Sequence, residues 1–114
     1  MSHPGSGAGP PPDALHVQLE GAVEQMEAQR WTDAAALLLG LLAGVRADRP
    51  ADGRLEPVAS ALLAQVFAEL GDLDGARRQA AEAVAAAGRC GDRDTVHRCL
   101  ALLASLDLLD HGRL

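Results

Sequence analysis

The feature that most constrains this chain is that it resembles itself at an offset of 41 residues. Leu19, Ser60 and Ala101 fall in line, as do Ala22, Leu63 and Ala104, then Val23, Ala64 and Ser105, and finally Met26, Phe67 and Leu108. Ala34 corresponds to Ala76 at 42 residues, the extra position being taken up in a turn where QRW is one residue shorter than LGDL. A repeat of this length is a supersecondary unit that cannot bury its apolar face alone, so neighbouring copies must stack.

The repeated unit reads as helical. Apolar residues recur at steps of three and four, nothing alternates with period two, and the chain lacks Ile and Tyr while Ala and Leu dominate. The spacing predicts helices over about 14–29, 32–46, 57–71, 73–87 and 94–110. Their expected signals are Asp13 as a cap, Thr32 or Asp33 near the second start, the ADRPADG segment as its stop and Pro57 in the first turn of the third. Asp72 caps the fourth, Gly88 with Gly91 ends it, and Asp92 or Asp94 caps the fifth. Residues 1–12, rich in Gly and Pro, read as a disordered tail before one domain over 13–114.

Small residues at Ala64, Ala76 and Ala83 let antiparallel helices approach closely, Phe67 fills the space between helix pairs, and Gly71-Asp72 makes a tight turn. With these features, ALLAQVFAELGDLDGARRQAAEAVAAAGRCGD at 61–92 resembles the tetratricopeptide repeat family. The period exceeds the family's usual length of about 34 and is similar to the extended variety found in bacterial regulators and motor-adaptor chains. The first repeat departs from the pattern, with Gln29-Arg30 in place of the turn glycine, and the third has only its first helix, since Leu114 aligns with Leu73. The resemblance implies an all-α fold of five helices, with antiparallel hairpins stacked as a short right-handed solenoid of two and a half repeats.

Charge and motifs exclude several functions. The formal charge is -6, which is the wrong sign for tracking phosphates, so nucleic acid is not an expected partner. No run approaches the ~20 apolar residues of a membrane span, and the N-terminus lacks the basic and apolar regions of a secretory signal; a cytoplasmic protein is expected. Cys90 and Cys99 are read as free thiols. There is no phosphate loop, nucleophile elbow or zinc-protease motif, and His3, His16, His97 and His111 are scattered. No catalytic residue, metal or cofactor is expected.

In the family that this chain resembles, the first helix of each hairpin lines a concave groove. The corresponding positions are Val17, Glu20, Glu24 and Glu27, then Val58, Ala61, Gln65 and Glu69, then Cys99, Leu102, Leu106 and Leu109. Such a groove is acidic at one end and apolar at the other, which suits a basic amphipathic peptide or helix. The lining holds no Lys, Arg or Asn, so a clamp for a C-terminal carboxylate is not expected. Leucines at 102, 103, 106 and 109 spread over more than one face of the last helix, and one neighbour cannot cover them all. Self-association through Leu102, Leu103, Leu106 and Leu109 is the expected remedy. The function expected is therefore a non-catalytic adaptor or scaffold; a sensor segment of a larger bacterial regulator is the alternative.

Overall fold

The computed structural model describes residues 12–48 and 55–111 and forms them into α1 (Pro12–Glu27), α2 (Trp31–Asp48), α3 (Leu55–Glu69), α4 (Leu73–Cys90) and α5 (Arg93–His111). All five expected helices are present, and no strand occurs among the described residues. The tail expected at 1–12 lies outside them except for Pro12, and so does ADRPADG beyond Asp48.

Most boundaries differ from expectation by one to three residues. Pro12 opens α1, because a first-turn residue needs no amide donor, and Asp13 thus falls inside the helix rather than before it. In the same way Leu55 opens α3 and Pro57 sits buried within its first turn. Gly88 does not stop α4, which continues to Cys90. One mid-helix glycine costs only about 1 kcal/mol, less than the complete termination signal three residues later provides.

The three turns between described helices share one backbone geometry. Gln29, Gly71 and Gly91 all have positive φ, at 61°, 87° and 74°. In each turn the following amide donates to the carbonyl five residues back: Arg30 to Gln25 at 2.8 Å, Asp72 to Phe67 at 2.9 Å and Asp92 to Ala87 at 2.9 Å. This is the left-handed helix termination that glycine favours. The next helix is then capped by Asp72, which accepts from the Gly75 amide at 2.9 Å, or by Asp92, which accepts from the Thr95 amide at 3.2 Å. Gln29 and Arg30 hold the first turn in the same shape with neither the glycine nor the capping carboxylate.

Packing divides by residue size. Leu38, Leu41 and Leu42 from α2 meet Leu15 and Ala22 from α1 and Leu63 and Val66 from α3 in one cluster, with Met26, Trp31 and Phe67 at its edge. The second cluster is built from Ala61 and Ala64 of α3, Ala80 and Ala83 of α4 and Cys99 of α5. Alanines at a helix contact bring the axes close, so α3 and α4 form the most intimate pair. The buried face of α2, at Ala34, Leu38, Leu41 and Val45, coincides with that of α4, at Ala76, Ala80, Ala83 and Ala87, when shifted by the 42 residues noted above. Consecutive helices pack on one another, α3 also touches α5, and α1 reaches α3, whereas the backbones of α2 and α4 stay apart and the two helices meet through the side chains of Arg46 and Glu82.

The last helix departs from the 41-residue alignment. The positions aligned with buried Ser60, Leu63 and Ala64 of α3 are Ala101, Ala104 and Ser105, and all three are exposed. Leu108, aligned with the half-buried Met26 and Phe67, is 72% exposed. What α5 buries is Thr95, Cys99 and Leu106, with Leu102 and Leu103 half-buried. These stand 40 residues from Leu55, Ala59, Val66, Leu62 and Leu63, the residues with which α3 meets the preceding pair. A one-residue slip rotates a helix by about 100°, so α5 presents a different face to α4 than the sequence alignment implies.

Candidate interaction groove

Where the ends of several helices come together, a half-open groove of about 300 Å³ is bounded by Met26 of α1, Trp31 at the start of α2, Gln65, Ala68 and Glu69 of α3, and Leu102 of α5. Its position follows from the tight first turn, which sets Met26 and Trp31 side by side against the end of α3. Met26, Trp31, Ala68 and Leu102 make its apolar part, and Gln65 and Glu69 supply its polar edge. This volume is at the bottom of the range of small-molecule pockets, about 300–1,000 Å³, and is enough for one large side chain.

The groove gathers only part of the expected lining. Gln65, Glu69 and Leu102 meet there, and Met26, Trp31 and Ala68 join them. The last three were not foreseen because Met26 belongs to the face of α1 aligned with core positions, and Trp31 starts a second helix of a hairpin. Val17, 63% exposed, and Glu20, Glu24 and Glu27 lie on the outward face of α1 and do not border the cavity. Val58 is half-buried.

Three expected contact residues, Ala61, Cys99 and Leu106, are consumed by the fold. Ala61 is buried in the alanine cluster beside Cys99, because α5 packs over that part of α3. Leu106, expected to be shared by groove and self-association surface, is 1% exposed and therefore presents nothing to a partner. The rotation of α5 puts Leu106 inward and turns Leu100, 50% exposed, and Leu108 outward with Ala101, Ala104 and Ser105. Leu102 and Leu103 remain half-covered, and the side chain of Leu109 lies outside the described residues.

Arg77 of α4 stands 3.5 Å from Asp74 and 3.7 Å from Asp107 of α5. At the end of the bundle where α2 finishes and α3 begins, Arg46 bonds to Glu56 at 3.3 Å and to Glu82 at 3.0 Å, and Arg89 stands 3.8 Å from Glu56. These pairs fasten α2, α3 and α4 together. Among the described residues no cation pairs with Glu20, Glu24, Glu27 or Glu69.

Both thiols are free, Cys90 exposed and Cys99 buried. Burial pushes the Cys99 pKa up; Arg98 opposes this and Asp92 reinforces it. Among the described residues no three His, Cys, Asp or Glu side chains are grouped to hold a metal ion, and no helix is long and apolar enough to cross a membrane. Comparison with family models, curated proteins and solved structures finds no match to this chain.

Proposed function

We propose that this chain is a non-catalytic interaction module of the tetratricopeptide type, a short right-handed stack of helical hairpins that docks a peptide or partner helix. The observation that carries the reading is the groove at Met26, Trp31, Gln65 and Leu102, where helices remote in sequence contribute to one concave, largely apolar surface. Three further observations support the stack: the shared turn geometry, the matching buried faces of α2 and α4, and packing of α3 on both hairpin partners. Self-association belongs to the same proposal, but through the outward face of α5 at Leu100 and Leu108. A cytoplasmic location accords with these properties.

The docking role is tested by titrating amphipathic helical peptides of varied charge into isotopically labelled protein and mapping the amide shifts. Changes centred on residues 26, 31, 65, 68 and 102 are expected. Shifts confined to other faces, or none with any peptide, would remove the groove from consideration.

A further inference from the structure

We infer that the groove is an anchor pocket for one apolar side chain of a basic amphipathic helix, with the cationic face of that helix directed along α1. The inference rests on the docking role proposed above and specifies its partner. Size comes first: about 300 Å³ accommodates one leucine- to tryptophan-sized side chain and its clearance, not the whole width of a helix, which is ~10 Å across. Met26, Trp31 and Leu102 provide apolar and aromatic contact for such an anchor, and Gln65 can orient the backbone or a neighbouring polar group.

Charge then selects the occupant. Glu69 stands in the wall of the groove, and Glu20, Glu24 and Glu27 are exposed at helical spacing on α1, the helix whose Met26 borders it. Arg30, beside Trp31 in the turn, sets one positive charge against these four negative ones. An acidic or neutral helix meets repulsion or no attraction along this approach, whereas arginine or lysine one and two turns from the anchor completes ion pairs that the described residues do not supply. The attraction is between solvated groups, so it falls with ionic strength.

Trp31 is the only tryptophan in the chain and borders the pocket, so its emission reports occupation directly. Three helical peptides are compared that share one leucine anchor and carry a basic, neutral or acidic polar face. The basic peptide is expected to shift Trp31 emission and to bind roughly tenfold more tightly than the neutral one at low salt, an advantage that shrinks at high salt. Replacing its leucine by alanine weakens binding about tenfold or more. Glu69→Arg narrows the preference for the basic peptide, with the circular dichroism unchanged because Glu69 is exposed.

Equal binding of the three peptides, independent of salt, overturns the charge assignment while leaving the docking role intact. Binding that survives loss of the leucine overturns the anchor. Failure of every peptide to perturb Trp31 or the groove amides overturns both this inference and the reading beneath it. A stable dimer in sedimentation, with Trp31 shielded from quencher in the dimer alone, assigns the groove to a second copy and overturns the basic-helix occupant.

Discussion

The guanidinium of Arg46 donates to the carboxylate of Glu82 at 3.0 Å across 36 positions of sequence, and the same side chain holds Glu56 at 3.3 Å. One cation at the end of α2 thereby fastens α3 and α4 beside the joint between the two hairpins. Arg46→Ala is expected to lower stability by about 0.5–1 kcal/mol, a modest figure because both groups are substantially exposed. Urea denaturation at low and high salt checks this: the difference between variant and parent should shrink as salt rises.

The first turn should be improvable. Gln29 occupies the left-handed region that Gly71 and Gly91 occupy in the other turns. Gln29→Gly is expected to raise stability by about 1 kcal/mol, and Arg30→Asp, which restores the capping carboxylate, by a similar amount. The reverse change, Gly71→Ala, should cost about 1 kcal/mol. Thermal melts of the three variants decide, and a Gln29→Gly variant no more stable than the parent would show that the turn is unstrained.

Within α3, the Ser60 hydroxyl is buried with no hydrogen-bond partner. Ser60→Ala should leave stability unchanged or raise it by about 1 kcal/mol, since an unsatisfied hydroxyl is removed and little volume is lost. Ala64→Leu, four residues on and facing the alanine cluster, should cost about 1–3 kcal/mol by forcing helices apart. Chemical denaturation distinguishes the two.

The cysteines should differ in both reactivity and pH dependence. Cys90 is exposed and should be alkylated within the native protein, whereas Cys99 should react only as the chain opens. Because the folded Cys99 thiol is raised above its unfolded value, its contribution to stability is complete below the unfolded thiol's pKa and declines as pH rises through that value toward the folded one. Stability curves for the parent and Cys99→Ala should therefore converge in alkaline solution relative to neutral pH.

Leu100→Glu with Leu108→Glu tests self-association. The parent is expected to show concentration-dependent association by light scattering, and the double variant to be monomeric with unchanged stability, because both side chains face outward. Leu106→Glu should instead unfold the last helix, since that leucine is inside.

Helix number and most boundaries were legible because the 3.6-residue period, Asp72, Gly71 and Gly91 act locally. The all-α class followed from them. Less legible was the placement of α5, where Ala101, Ala104 and Ser105 aligned convincingly with core positions yet face outward. In a stretch so rich in leucine and alanine, a slip of one residue still offers an apolar face, and only the packing against Ala61, Ala64, Ala80 and Ala83 chooses between them. The groove was read in part for a related reason. Gln65, Glu69 and Leu102 followed from the family resemblance, but Met26 and Trp31 are brought in by the shape of a turn that carries none of the residues typical of it.

That turn also determines where the molecule breathes. Its left-handed residue bears a side chain, its successor offers no carboxylate to hold the next helix start, and α1 beyond it has few neighbours other than α2. One low-cost excursion from the native state is accordingly the lifting of α1, and because Met26 travels with it, one wall of the groove swings open while the alanine-packed half stays shut. Amide exchange in α1 would outpace that in α3 and α4, and any visitor seated against Met26 would slow it.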